Sequence, residues 1–254
     1  MHESTAYLTA TPVDGRRLRL FCFHHAGAGA SVFTRWRDAL GPGVDTLPVQ
    51  LPARERRIAD PLPATLTDLI ADLDDQLAPF LRAPYAFYGH SMGAIVAYHL
   101  TRHIVARSGP APARLVVAAC APPGRHAALR SAPDRSDREL TELLLRIGGL
   151  SESLVRYPAW HRAALCLVRR DLRLCAQNVP EDGQPLTVPI HVFTGRSDPL
   201  ITREDADAWA DRTTGRTTVH EVSGGHLFLV GDSAVPLLTQ LAAVLSTAVA
   251  EEPR

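Results

Sequence analysis

Apolar positions in the first half of the chain follow two alternating patterns. Continuous apolar runs typical of buried strands lie at 17–23, 44–51, 84–90 and 114–123. Between them, apolar side chains recur at the spacing of one helix face in 31–40, 64–81 and 93–108. Pro48 lies within the second run and favours a short strand or an edge strand there. Alternating strands and helices predict a mostly parallel sheet covered by helices on both faces.

The alternation stops after residue 123. Residues 124–184 have helical patterns only, and strand-like runs return at 187–195 and 216–224, each followed by a helical pattern. We therefore predict one α/β domain, whose core comprises residues 1–123 and 185–254, with a helical insertion at 124–184. Within the insertion, Trp160, Leu165 and Leu167 are expected to pack against the core.

Composition narrows the functional class without defining it. The 254 residues are 46% hydrophobic and 21% charged, with a formal net charge of +0, which does not favour a nucleic acid or an anionic membrane as partner. No apolar window reaches the length of a membrane-spanning helix, and the N-terminus lacks a secretory pattern. We expect a soluble, cytoplasmic monomer. The four cysteines, Cys22, Cys120, Cys166 and Cys175, form no C-x-x-C pair and are expected to be reduced core residues.

The segment Gly89-His90-Ser91-Met92-Gly93 lies between a predicted strand and a predicted helix. G-x-S-x-G in this context is the signature of a nucleophile elbow. The serine adopts a strained backbone conformation at the strand end, and only glycines allow the close approaches on either side. The backbone N–H of Met92 would begin the helix and face the position of an oxyanion. An ordinary tight turn is the alternative, and the strand and helix around the segment favour the elbow.

A nucleophilic serine needs a base and an acid that orients the base. In elbow proteins the acid follows the serine in the chain, beyond a later strand. Asp198 comes just after the strand-like run 187–195 and is the preferred candidate. Asp205 and Asp207 are alternatives, although both lie on the next helical pattern and would be solvated.

The base should follow the next strand. His226 comes after two glycines that free the loop to reach back towards the serine. His191 and His220 lie inside predicted strands and fit less well. Ser91, Asp198 and His226 thus form a complete set in the order that the elbow architecture requires.

A second oxyanion donor should come from the loop after the first strand, where the sequence reads His-His-Ala-Gly-Ala-Gly over 24–29. Small residues there would let backbone N–H groups approach a reacting carbonyl. A flexible glycine turn is the alternative interpretation. A phosphate-binding loop is disfavoured because neither the dinucleotide-binding nor the P-loop spacing is met.

These stretches together resemble type II (editing) thioesterases of polyketide synthase and nonribosomal peptide synthetase systems, in the α/β-hydrolase superfamily. The resemblance rests on FHHAGAGASVFTRW, VQLPARERR, YGHSMGAIVAYHL, LVRRDLRLC, PLTVPIHVFTGRSDPL and SGGHLFLV, which extend from about residue 20 to 230. The chain departs from the family pattern P-H-A-G-G at His24, which replaces the proline, and at Ala28, which shifts the second glycine to Gly29; it departs from L-P-G-R at Ala53.

The resemblance implies an α/β-hydrolase fold in which residues 124–184 form a lid over a chamber entered by a phosphopantetheine arm. It implies that the backbone N–H groups of Ala26 and Met92 form the oxyanion hole. Ser91 would then hydrolyse acyl thioesters on an acyl or peptidyl carrier protein, with Asp198 orienting His226. No metal or cofactor is implied.

Two other classes of function are alternatives to thioester hydrolysis. A general carboxylesterase or an acyltransferase would keep the triad unchanged, and a non-catalytic binding protein would be expected to lack part of it. Two arginine clusters could contact an acidic carrier protein or could be solvated helix faces: Arg54, Arg56 and Arg57, and Arg169, Arg170 and Arg173.

Overall fold

The structure is a computed structural model that describes residues 5–13, 15, 18–82, 84–125, 131–177, 179 and 183–250. Six strands form one sheet in the order β2-β1-β3-β4-β5-β6, and every neighbouring pair is parallel. The strands are β1 (Leu18–Phe23), β2 (Val44–Val49), β3 (Tyr85–His90), β4 (Arg114–Ala118), β5 (Ile190–Gly195) and β6 (Thr217–Val222). The parallel sheet expected from the sequence is confirmed.

Helices cover both faces of this sheet, as the alternating pattern predicts. In chain order they are α1 (Trp36–Leu40), α2 (Leu66–Leu77), α3 (Met92–Ala106), α4 (Asp137–Ile147), α5 (Glu152–Val155), α6 (Pro158–Ala176), α7 (Arg203–Asp207) and α8 (Ala234–Ala250). Buried side chains of α2 and α3 pack on one face of the sheet, and those of α1 and α8 pack on the other. None of the helices in the described ranges is long and apolar enough to cross a membrane.

Several element boundaries differ from the expectation for local reasons. The run 114–123 ends as a strand at Ala118 because Ala119 has φ +51°. The run 187–195 begins as a strand only at Ile190, directly after Pro189, which has no N–H to donate. The pattern at 31–40 divides into a 3₁₀ turn (Ala30–Phe33) and the short helix α1. Pro48 does lie on an edge strand, since β2 ends the sheet.

The described part of 124–184 contains helices and no strand. Its apolar side chains form a small cluster of their own, made mainly by Ala132, Leu140, Leu144, Leu165, Val168 and Leu172. The expectation that Trp160 packs against the core is wrong, because its side chain is 70% exposed. The buried side of α6 is set by Leu165, Val168 and Leu172, and Trp160 lies outside that arc. Cys166 is also exposed, whereas the other three cysteines are buried.

Candidate active site

Ser91 lies at the turn between β3 and α3, at the carboxyl end of the sheet. Its backbone angles, φ +53° and ψ −115°, are strained for a residue with a side chain. The flanking glycines are required by contact: a Cβ on Gly89 would lie 2.2 Å from the carbonyl oxygen of Gly93, and one on Gly93 would lie 2.2 Å from that of Phe23. The strained turn that the sequence predicts is therefore present.

Two loops bring the predicted acid and base to this serine. His226 Nε2 lies 3.2 Å from Ser91 Oγ, and His226 Nδ1 lies 2.9 Å from Asp198 Oδ2. Because a carboxylate can only accept, Nδ1 carries the proton and Nε2 is free to accept from the serine hydroxyl. The second carboxylate oxygen of Asp198 accepts from the N–H of Leu200 at 2.8 Å. All three side chains are buried, so solvent competes little for these hydrogen bonds.

The other candidates for acid and base are engaged in contacts that do not include Ser91. Asp205 caps the start of α7 through Thr202, and Asp207 pairs with Arg203. The rings of His191 and His220 stack on each other, with 3.0 Å between Nδ1 of the first and Nε2 of the second. Of the acids and bases considered from the sequence, only Asp198 and His226 form a continuous hydrogen-bonded chain with Ser91.

Two backbone N–H groups near Ser91 have no acceptor among the residues that the structure describes. Met92 is the first residue of α3. The first N–H groups of a helix have no hydrogen-bond partner within the helix. Neither the N–H of Met92 nor that of Ala26 donates a hydrogen bond to any residue that the structure describes. Ala26 belongs to the turn after β1 and lines the same cavity as Ser91. Both are therefore available to hold a negatively charged oxygen.

His90, the residue before Ser91, supports the site in a way that the sequence analysis did not identify. Its Nε2 donates to the carbonyl of His226 at 2.8 Å, and its Nδ1 accepts from the hydroxyl of Tyr88 at 3.0 Å. This arrangement fixes the backbone of the catalytic loop and the tautomer of His90 together. Burial, with a smaller contribution from His226, lowers the pKa of His90 well below its ordinary value, so this ring is neutral.

Two further histidines lie on the turn after β1. Burial, reinforced by the nearby His226, lowers the pKa of His25 to about 4. Burial and the Arg54 guanidinium hold the pKa of His24 well below its usual value. Both rings are therefore uncharged at neutral pH. Neutral imidazoles therefore border Ser91, Asp198 and His226, and they do not oppose a positive charge on His226.

A cavity of about 310 Å³ opens beside Ser91. One wall consists of residues that follow the carboxyl ends of the strands, including His25, Ala26, Ser91 and His226. The opposite wall is mainly apolar and comes from the helices between β4 and β5: Leu140, Leu143, Leu144, Ile147, Val168 and Leu172. No group of three or more histidine, cysteine, aspartate or glutamate side chains suited to a metal ion occurs among the residues described. The cavity thus joins polar catalytic groups to an apolar chamber.

Comparison with known proteins agrees with this geometry. A family model described as a thioesterase domain matches residues 18–246. The chain belongs to the thioesterase domain family. This membership confirms the resemblance found in the sequence and indicates a thioester hydrolase with the hydrolase fold.

Proteins similar to this thioesterase include thioesterases of named biosynthetic pathways. Thioesterase PikA5 of Streptomyces venezuelae is 31% identical over 224 residues, which cover 86% of this chain and 78% of PikA5. The solved structure of RedJ, a thioesterase from the prodiginine biosynthetic pathway in Streptomyces coelicolor, superimposes with a TM-score of 0.85 at 34% identity and covers 94% and 96% of the two chains. The type II thioesterase BorB from the borrelidin biosynthetic cluster gives a TM-score of 0.82 at 29% identity, covering 97% and 98%.

Proposed function

We propose that this thioesterase hydrolyses acyl thioesters carried on the phosphopantetheine arm of an acyl or peptidyl carrier protein, and so removes acyl groups that stall polyketide or nonribosomal peptide synthesis. The observation that carries the proposal is the chain Asp198–His226–Ser91 beside an apolar cavity and two backbone N–H groups that have no acceptor in the described part of the chain. The names of its relatives support the same biosynthetic setting.

The hydrolysis proceeds in two steps through an acyl-serine ester. Ser91 Oγ attacks the thioester carbonyl carbon while its proton passes to His226 Nε2. The N–H groups of Ala26 and Met92 hold the oxyanion, each contributing about 3 kcal/mol. The C–S bond breaks, and His226 gives the proton to the departing thiol. Water, activated by His226, then attacks the ester, and collapse of the second tetrahedral intermediate releases the acid and restores the serine. Asp198 stabilises the charged form of His226 throughout.

The chamber favours an apolar acyl chain. Its far wall consists largely of leucine, isoleucine and valine side chains, which gain free energy when an alkyl chain displaces water from them. We therefore place the acyl chain against α4 and α6, with its carbonyl at Ser91. Residues 124–184 act as the lid of this chamber, because the helices between β4 and β5 supply that wall.

One of the two arginine clusters is already occupied by contacts within the chain. Arg54 pairs with Asp171, Arg56 donates to the carbonyls of Ala6 and Leu8, and Arg57 pairs with Asp60. Arg169 is held similarly by the carboxylate of Asp137 and the carbonyls of Pro133 and Arg135. These contacts account for the four arginines without a carrier protein bound to them and without a solvated helix face.

Arg170 and Arg173 differ from these four. Both are exposed on α6 and form no ion pair with the residues that the structure describes. They line a shallow surface groove together with Leu62, Pro63 and Ala64. An acidic surface with apolar contact residues is complementary to this groove. We assign the carrier protein to this face of α6, whose other side lines the acyl chamber.

The experiment that tests the function presents one acyl group in three forms: on a holo carrier protein, as a small pantetheine thioester and as an oxygen ester. We expect the highest kcat/KM for the carrier-bound thioester and no turnover in Ser91→Ala. Preference for the oxygen ester, with no advantage from the carrier, would instead establish a general carboxylesterase. Activity that persists in Ser91→Ala would refute the nucleophile.

A further inference from the structure

A buried ion pair lies directly behind the turn that carries Ala26. Both carboxylate oxygens of Asp171, on α6, accept hydrogen bonds from the guanidinium of Arg54 at 2.7 Å. Asp171 is fully buried and Arg54 is 3% exposed. Removing two charges from water costs about as much free energy as their attraction returns, so stability alone does not explain the pair. Asp171 also does not line the acyl chamber, and thus it cannot contact the substrate.

The ion pair contacts the turn after β1 at two positions, one on each side of the peptide group between Gly27 and Ala28. Asp171 Oδ2 accepts from the N–H of Gly27 at 2.8 Å. Arg54 Nη1 donates to the carbonyl of Ala28 at 3.2 Å. The N–H of Ala26 is the one immediately before that of Gly27 along the chain. The direction of the Ala26 N–H is therefore fixed by groups that lie on α6 and on the loop after β2.

Packing leaves this turn little freedom to move towards α6. Gly27 has φ +78°, and a Cβ on it would lie 2.5 Å from Cγ2 of Val168. Only a glycine fits between the turn and the helix at this position. Contact and hydrogen bonding thus act at the same residue, and both come from α6.

The carboxyl-terminal half of α6 is itself fixed to the core. Gln177 Oε1 accepts from the N–H of Leu66 at 2.8 Å, and its Nε2 donates to the carbonyl of Ala64 at 3.1 Å, so it caps the start of α2. Leu174 and Cys175 belong to the main apolar cluster beneath the sheet. This half of the helix can therefore serve as a rigid support for the turn.

We propose that Asp171 is a positioning residue that holds the Ala26 N–H towards the oxyanion. Arg54 neutralises the carboxylate, so that the buried negative charge does not oppose the oxyanion. This inference rests on the proposed thioester hydrolysis by Ser91. It adds that a side chain of α6 holds the oxyanion-hole turn in place, although α6 is far from that turn in the sequence.

The test compares Asp171→Asn with the apolar double variant Arg54→Met/Asp171→Leu. Asp171→Asn keeps the shape of the side chain but places an NH₂ group against the N–H donors of Arg54 or Gly27. The double variant removes both charges and fills the volume of the two side chains with apolar atoms. We expect kcat on a pantetheine thioester to fall about 10–100-fold in each, less than or similar to loss of one oxyanion donor, while KM changes little. Affinity for a trifluoromethyl ketone, which forms an oxyanion on Ser91, should fall by the same factor. Affinity for a thioether analogue without a carbonyl should stay constant.

Asp137→Asn is the matched control, because it breaks another ion pair of α6, with Arg169, without touching the turn. It should keep the wild-type kcat. Wild-type kcat in folded Asp171→Asn would overturn the proposal. If that variant fails to fold, wild-type kcat in the double variant would overturn it equally. Ser91→Ala in the same assay reports on the proposed hydrolysis alone, so failure of the function and failure of the positioning role are distinguishable.

Discussion

The two walls of the acyl chamber are built in different ways. On the sheet side, each chemical group has a fixed position: Ser91 by its strained turn, His226 by Asp198 and by the side chain of His90. On the helical side, α4 and α6 present interchangeable apolar side chains that form no hydrogen bond with the catalytic groups. Proton transfer requires atoms placed to a fraction of an ångström, whereas an alkyl chain requires only volume and low polarity.

The sheet side also contains unfavourable local structure. Ser91 and Ala119 both have positive φ, and His24 Nε2 and His25 Nδ1 are buried without a hydrogen-bond partner in the described part of the chain. Such features cost on the order of 1–3 kcal/mol each and persist only where the surroundings enforce them. The sheet side, called the catalytic wall below, is thus determined by local constraint, whereas the helical side, called the helical wall, can vary with the substrate.

The largest expected effect comes from breaking the catalytic wall. Ser91→Ala or His226→Ala should each lower kcat by about 10⁴-fold or more, since members of a triad act as a unit. Steady-state kinetics on a pantetheine thioester measures this. His220→Ala is the control, because that ring contacts His191 and Phe193 and lies away from the triad. An equal loss in His220→Ala would show that unfolding, not chemistry, caused the effect.

The catalytic wall could be predicted from the sequence because its constraints leave local traces. Gly89 and Gly93 are glycines since a Cβ would collide with backbone, and the close approach at Gly195, where a Cβ would lie 2.4 Å from the carbonyl oxygen of Gly225, has the same origin. The chain order of Ser91, Asp198 and His226 then follows the architecture. The fold class, and the three side chains that the structure joins by hydrogen bonds, were accessible in this way.

The contacts of the helical wall could not be predicted, because they join residues far apart in sequence. Arg54 and Asp171 are separated by 117 positions. The residues on either side of Arg54 and of Arg170 do not indicate that the first arginine is buried and the second exposed. The apolar periodicity predicted the helix that contains Trp160, but it did not predict that this side chain is exposed. Periodicity describes one helix face, whereas burial depends on which element covers it.

The neutral histidines of the catalytic wall should make folding sensitive to acid. Burial lowers the pKa of His24 and His90 well below the ordinary value and that of His25 to about 4. The unfolded chain takes up protons near pH 6.5 that the folded protein does not, so stability is complete above that pH and declines as pH falls towards the folded pKa values. The free energy of unfolding should be about 4 kcal/mol lower at pH 5.5 than at pH 7.5.

Urea unfolding at the two pH values measures this difference. His25→Asn should remove about one third of it, because one of three titrating groups is gone. Equal stability at pH 5.5 and pH 7.5 would contradict the assignment of these rings as buried and neutral.

The junction between the two walls can be tested at Gly27. Gly27→Ala should lower the free energy of unfolding by about 2–4 kcal/mol, from the positive φ and from overlap with Val168. Gly148→Ala is a matched control, since Gly148 has the same φ of +78° but nothing within 4 Å of the added Cβ. Its cost should be about 1–2 kcal/mol. In a Val168→Ala background, Gly27→Ala should cost no more than Gly148→Ala does, because the overlapping methyl is gone. Urea unfolding that shows the full cost in that background would contradict the contact.

The smallest effect is expected on the outer face of the helical wall. Arg170→Glu/Arg173→Glu should raise KM for a carrier-bound thioester about 10-fold, since like charges would then face an acidic partner. Turnover of the free pantetheine thioester should stay unchanged, because neither side chain lines the chamber. The wild-type preference for the carrier should also weaken as ionic strength rises. Arg203→Glu, an exposed reversal on α7, controls for net charge. Equal slowing of both substrates would exclude docking at this face and would leave the helical wall with the acyl chain as its only ligand.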